Sequence, residues 1–210
     1  MNTIESLQWR YAVKKFDNKK QLSYSKIETL KEAFNLTATS FGLQPVKMIV
    51  LQNKKTQQQL VSHSFNQQQV GDASHLLILC IPKKYELIEV ENYFNLVKKI
   101  RNTPDEILNP FKDSLVADYS KKSQAILHQQ NKNQAYLVLG NLLTVCAIEK
   151  IDACPMEGFV PEKYDEILNL ESQNLQAVLV LPVGFRAEDD FMKDLKKVRK
   201  ETKDIVIEIS

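Results

Sequence analysis

Glycine is scarce, with five in 210 residues, so tight turns are few and much of the chain reads as helix. The sequence has no Gly-x-Ser-x-Gly, no Walker loop and no Gly-x-Gly-x-x-Gly. That removes the common hydrolase, NTPase and Rossmann readings. His63, His75 and His128 are scattered, without a Cys or carboxylate at ligand spacing, which excludes a zinc site. Three cysteines (Cys80, Cys146, Cys154) sit in apolar or near-apolar runs and read as buried free thiols in a reducing compartment. The start, MNTIESLQWRY, has polar and acidic residues where a signal peptide needs an apolar core. The longest apolar run, Ala135 to Ile148, is interrupted by Asn141 and Thr144 and is too short to span a bilayer. On this reading Asn35-Leu36-Thr37 meets no glycosylating compartment, and the protein is cytoplasmic and off the membrane. The net charge is +2, and no basic stretch is interleaved with stacking aromatics, so nucleic acid is not an expected partner.

What is present is ordinary globular composition, 43% hydrophobic and 26% charged. A chain this long buries about 70% of its unfolded surface, enough for a core without staples. One domain, 1–210, is expected. Thr3 to Leu7 predicts a first helix. Ser25 predicts the N-cap of a second, running to about Leu36 with Ile27, Leu30, Ala33 and Phe34 on one face. Val46 to Leu51 reads as a strand and Lys54 to Ser62 as a short helix. Leu76 to Ile81, apolar throughout and stopped by Pro82, reads as a strand buried on both faces. Tyr85 to Arg101 predicts a helix, after which Pro104 and Pro110 break the chain. Ser114 to Lys150 predicts helix with a break near Asn131, and its last part is apolar nearly all round, as in a central helix. Ala177 to Val183 is a third strand and Ile205 to Ile209 a short fourth. Lys83 to Asn131 is the most polar region and the expected insertion or lid. Long helices between apolar strands predict an α+β or α/β layered domain. The all-round apolar helix and the terminal strand both hint at dimerisation, by covering a flank and by adding to a second subunit's sheet edge.

Three segments could carry chemistry. In Arg10-Tyr11-Ala12-Val13-Lys14, an extended backbone points Arg10, Ala12 and Lys14 the same way. The outer two then lie about 13 Å apart at ~3.3 Å per residue, a spacing that could hold a mononucleotide's phosphate at one end and its ring at the other. In Cys154-Pro155-Met156-Glu157-Gly158-Phe159, Pro155 and Gly158 bracket a turn with backbone N–H groups free to face a ligand. In Lys196-Lys197-Val198-Arg199-Lys200, extended Lys197 and Arg199 could clamp a phosphate. Taken singly, each has a plainer reading that the residues favour: a solvated charge cluster, a loop leading to the helix that Pro161 begins, and a solvated basic face.

Together these segments resemble the nitroreductase family, and the resemblance runs from Ile4 to the C-terminus. Further anchors are Gln44-Pro45, Phe65-Asn66, Asp72-Ala73-Ser74-His75, Gln134-Ala135-Tyr136 to Leu143, and Pro182-Val183-Gly184. No single anchor is decisive, but their order and spacing are specific. The resemblance implies an α+β fold, a mixed sheet flanked by helices, in an intertwined homodimer with C-terminal strand exchange and two FMN molecules at the subunit interface. By residue match, Arg10, Lys197 and Arg199 hold the FMN phosphate, with Tyr11 and Ala12 beside them. Lys14 faces the pyrimidine edge of the ring and Asn66 hydrogen-bonds to it. Pro155, Met156, Glu157 and Gly158 run beside the central ring, with the N–H of Glu157 or Gly158 near N5. Thr39, Ser40 and Gly42 match the segment that reaches the flavin from the other subunit. Lys14 and Glu157 are the residues placed at the reacting centre.

The implied chemistry is ping-pong: NAD(P)H gives hydride to the flavin and leaves, and a nitroaromatic, quinone or similar conjugated acceptor takes its place. The alternative is an FMN protein of the same fold with another reaction, flavin-consuming or reductively dehalogenating. Four departures stand out. Well-studied oxygen-insensitive members have His-Ser where this chain has Tyr11-Ala12, which loses a hydroxyl to the phosphate. They carry a second lysine at the position of Gln69. The Thr39-Ser40-Phe41-Gly42-Leu43 loop is bulkier and more apolar than theirs. Lys196 replaces a proline. The second and third bear on substrate range and nicotinamide preference.

Overall fold

In the computed structural model, which describes residues 2–209, α1 (Thr3–Trp9) begins in a capping box. Asn2 accepts the N–H of Glu5, whose carboxylate accepts the N–H of Asn2. Helix α2 (Tyr24–Asn35) starts two residues earlier than its sequence suggests. Ser23, not Ser25, is the N-cap and accepts the N–H of Lys26. Strand β1 (Lys47–Leu51), α3 (Lys54–Val61) and the one-turn α4 (Gln69–Asp72) lead into β2 (His75–Pro82).

Helices α5 (Ile88–Arg101) and α6 (Asp105–Ser120) form the polar region, and Pro104 separates them. Pro110 does not break the chain; it sits inside α6. A helix interior normally resists proline, and here tertiary contacts outweigh that cost. Phe94 of α5 and Leu115 and Tyr119 of α6 are buried with Tyr85 and Leu127 in a separate small core. Helix α7 (Gln124–Ile148) then runs 25 residues without the break expected at Asn131. The interruption comes earlier, where Ser123 caps the new helix, and Asn131 is buried inside it. Strand β3 (Asp152–Ala153), α8 (Pro161–Ile167), β4 (Leu175–Gly184) and α9 (Thr202–Ile205) complete the order.

The sheet is antiparallel, in the order β1-β2-β4-β3. Its two central strands are apolar on both faces because helices cover both. On one face Leu77, Leu79, Ile81, Leu179, Leu181 and Val183 meet α2 and α7 through Ile27, Leu30, Val138 and Leu142. On the other, Leu76, Ile78 and Val180 meet Leu60 of α3 and Tyr164 of α8. Each such side chain, fully buried, contributes about 1.5–3 kcal/mol of transfer free energy. The outcome is three layers, an α+β arrangement. The two-residue β3 carries no sequence signal of its own.

The fourth strand expected at Ile205 to Ile209 is absent from the single chain. Ile205 ends α9, the N–H of Val206 closes that helix on Thr202, residues 206–209 join no strand among the described residues, and Ile207 and Ile209 are 89% and 94% exposed. One face of α7 is also bare. Leu137 is 52% exposed, and no atom lies within 4 Å of where a Cβ on Gly140 would stand.

Candidate functional site

The short β3 is the place where distant segments meet. Ala12 bridges Ala153 in parallel, and the N–H of Val13 donates to the Ala153 carbonyl at 3.3 Å. Farther along, the N–H of Cys154 donates to Pro182 at 3.1 Å, and Met156 bridges Val180. Residues 10–16 and 152–158 thus lie side by side at one sheet edge. Arg10 is extended and Ala12 forms the bridge, but the chain bends at Lys14, so the fully extended stretch that the spacing suggests ends before it.

Two buried carboxylates hold this edge. Asp190 accepts the Tyr11 hydroxyl (3.0 Å), the N–H groups of Lys14 (3.0 Å) and Lys15 (3.3 Å), and that of Met192 (3.0 Å). Burial pushes its acidity down, but these hydrogen bonds outweigh burial and hold its pKa below the usual value. Asp152 accepts from Arg186 through the backbone N–H (2.8 Å) and Nε (2.7 Å). The Arg186 guanidinium in turn lies over the Trp9 and Tyr11 rings at 4.3 and 4.5 Å. None of these pairings is visible in sequence, because each joins residues far apart along the chain.

Over this floor opens a cleft of about 450 Å³ lined by Trp9, Arg10, Tyr11, Ala12, Lys197 and Arg199, among others. Lys197 Nζ donates to the Arg10 carbonyl. Burial lowers the pKa of Arg10, and the charge of Arg199 lowers it further. Burial likewise lowers that of Lys197, with Arg10 and Arg199 adding to it. Among the described residues no carboxylate forms an ion pair with any of the three. Three converging cations without a counter-charge repel one another, and a doubly charged oxyanion relieves that repulsion with charge-assisted hydrogen bonds.

The remaining predicted residues fall into two groups. Lys14 Nζ contacts Cys154 Sγ at 3.8 Å, and Gln69 Nε2 reaches the same sulfur at 3.9 Å. Asn66 stands nearby in sequence in the left-handed region (φ 58°), and its side-chain amide has no partner among the described residues. In the 155–158 turn, the Glu157 carboxylate faces Tyr136 of α7, whose pKa is raised by burial first and by this carboxylate second. A Cβ on Gly158 would lie 3.0 Å from Gln67 Nε2, a tight contact that the glutamine side chain would have to yield by a few tenths of an ångström.

Thr39, Ser40 and Gly42 lie elsewhere. Thr39 Oγ1 accepts the N–H of Gln44 at 3.0 Å, and the Ser40 N–H donates to Gln134 at 2.8 Å. Gly42 has φ +74°, and a Cβ there would meet the Tyr93 hydroxyl at 2.8 Å. Ser40 lines a different cavity, of about 250 Å³, with Tyr85, Asn131 and Gln134. A single chain therefore gathers Arg10, Tyr11, Ala12, Lys197 and Arg199 in one cleft and Lys14, Gln69 and Gly158 in one network. It leaves the 39–42 loop in a different cavity.

The chain is thus an α+β protein with a cleft at the edge of a helix-covered antiparallel sheet, and the cations lining that cleft have no carboxylate partner among the described residues. Residues 7–185 match the nitroreductase family, and the chain belongs to that family, a family of oxidoreductases. It is 29% identical over 97% of its length to a Staphylococcus epidermidis protein named as a candidate NAD(P)H nitroreductase, 94% of which is covered. A Bacillus subtilis structure described as a candidate nitroreductase superposes with a TM-score of 0.87 at 17% identity, covering 98% of both chains. An Exiguobacterium sibiricum structure, described as a candidate nitroreductase in complex with FMN, gives 0.84 at 20% identity over 100% of this chain and 98% of the other.

Proposed function

We propose that this protein is a homodimeric FMN oxidoreductase that takes hydride from NAD(P)H and reduces nitroaromatic, quinone or similar conjugated acceptors. The observation that carries the reading is the set of three cations, Arg10, Lys197 and Arg199, that lack a carboxylate partner. A flavin mononucleotide brings the dianionic phosphate that such a set lacks. The residues present fit it: cations for the phosphate, Lys14 for the electron-rich ring edge, Asn66 with its amide unspent, and backbone N–H groups of the 155–158 turn beside the ring. The relatives' names point the same way, toward NAD(P)H and, in one neighbour, FMN.

Bound there, FMN would supply two-electron hydride chemistry. This chain's residues would do the rest. Arg10, Lys197 and Arg199 would anchor the phosphate, Lys14 would favour negative charge at the ring edge, and Glu157 would lie beside the ring. Thr39, Ser40 and Gly42 would complete the site of a second copy. That arrangement accounts for their distance from the cleft, and the bare α7 face and the unpaired 206–209 segment supply surface for the exchange. The single domain 1–210 with three free buried thiols suits the reducing cytoplasm.

The test is direct. Purified protein should be yellow, with about one FMN per chain, and should oxidise NAD(P)H with menadione or a nitrofuran, giving parallel double-reciprocal lines. A colourless protein that fails to take up added FMN overturns the reading. FMN binding without turnover of either acceptor reassigns the reaction but keeps the cofactor.

A further inference from the structure

The Lys14 ammonium belongs to a chain of contacts that its position in the sequence does not suggest. Lys14 Nζ donates to Cys154 Sγ at 3.8 Å, and Gln69 Nε2 donates to the same sulfur at 3.9 Å. Gln69 Nε2 also donates to Gln67 Oε1 at 2.9 Å, and Gln67 Nε2 donates to the Gly158 carbonyl at 3.0 Å. An amide nitrogen has two hydrogens, so Gln69 has none left for a ligand. Gln69 is also 5% exposed and Cys154 fully buried, which holds their half of the chain rigid.

We propose that Gln69 and Gln67 are positioning residues that fix the Lys14 ammonium, through the Cys154 sulfur, against the 155–158 turn. A lysine side chain has four rotatable bonds and about 2 kcal/mol of rotamer entropy. Left alone it swings into solvent. The partner that holds it here is a thiol, a weak acceptor, and burial raises that thiol's pKa even though Lys14 and Gln69 oppose the rise. The neutral sulfur orients the ammonium without neutralising it, as a carboxylate would. The field of Lys14 therefore remains available to whatever lies over the turn. This inference rests on the reading in which Lys14 faces the flavin ring. It gives Gln69 a role through Lys14 rather than as a ligand contact.

The experiment is a double-mutant cycle on the two-electron midpoint potential of the FMN-loaded full-length protein, with FMN affinity measured alongside. Lys14→Met should favour the oxidised flavin. Gln69→Met, which keeps the volume but loses both donors, should shift the same equilibrium about tenfold toward oxidised, a change of about 30 mV for a two-electron couple. In the Lys14→Met background the Gln69→Met shift should fall below about twofold. Gln67→Met, on a less buried side chain, should act in the same direction and also vanish without Lys14; it serves if Gln69→Met does not fold. A shift that survives unchanged in the Lys14→Met background overturns the inference, because it then owes nothing to Lys14. A Lys14→Met shift without any Gln69→Met or Gln67→Met shift overturns it alone. No shift for Lys14→Met with FMN bound overturns the placement of Lys14 itself.

Discussion

The carboxylate of Asp190 accepts the backbone N–H of Lys14 at 3.0 Å, tying the chain that leaves the sheet to the segment that carries Arg10 and Lys14. The same oxygen accepts the Tyr11 hydroxyl at 3.0 Å. The hydroxyl of Tyr11 is thus spent on a buried acid. The Tyr-Ala pair that distinguishes this chain from its well-studied relatives is built into the floor of the cleft.

Asp190→Ala should therefore destabilise the protein by about 2–3 kcal/mol, since it strands several buried donors. The pH dependence has a definite sign. Hydrogen bonds depress the folded-state pKa of Asp190 below its ordinary value of 3.8, so its contribution is complete above the ordinary carboxylate range. It is lost as pH falls through the folded value. The stability gap between wild type and Asp190→Asn should be flat from neutrality to about pH 5 and shrink below about pH 4. Urea titrations across that range measure it, and a gap that grows on acidification contradicts the assignment.

Arg199→Ala should weaken FMN binding about tenfold to a hundredfold, the usual size for one charge-assisted hydrogen bond. Raising the salt concentration should narrow the difference. Titration of apo-protein followed by flavin fluorescence reads both. If the Arg199 guanidinium merely belongs to a solvated basic face, the two titrations coincide.

The thiols should be silent. Burial pushes Cys80 and Cys146 up to about 12, the latter against the opposing charge of Arg10, and raises Cys154 as well. An aromatic disulfide reagent near neutral pH should titrate no thiol in the folded protein and three after unfolding. Fast labelling of one thiol in the native state would show that the Cys154 region opens.

Leu137→Glu should yield monomers that bind FMN poorly, and removal of residues 205–210 should weaken the dimer at least tenfold. Leu137 is an exposed leucine on a helix face that the single chain leaves bare, and the tail is an unpaired run of isoleucine and valine. An ordinary exposed position would tolerate either change within about 0.5 kcal/mol. Sedimentation at micromolar concentration separates the outcomes.

Much of the architecture was legible in the sequence because it depends on local pattern. The runs Leu76 to Ile81 and Ala177 to Val183 are apolar at every position, so they had to be central strands, and helices had to cover both faces. The cations at Arg10, Lys197 and Arg199 were legible through their resemblance to a family, and the fold brings them into one cleft. What the sequence could not show depends on partners far along the chain. Pro110 stays helical because Phe94, Leu115 and Tyr119 bury the hairpin around it. Asp190 and Asp152 carry no local signal of burial; Tyr11, Lys14 and Lys15 take the first and Arg186 takes the second. Gln69, where the family resemblance leads one to expect a lysine, reads as a lost charge until its amide is found on Cys154 and Gln67. By itself the sequence determined the layers, the buried strands and the cationic character of the site, since periodicity and charge are properties of neighbouring residues. Only the tertiary structure decided which carboxylates are buried and which amides hold Lys14, because a hydrogen bond joins groups by distance in space and has no sequence period.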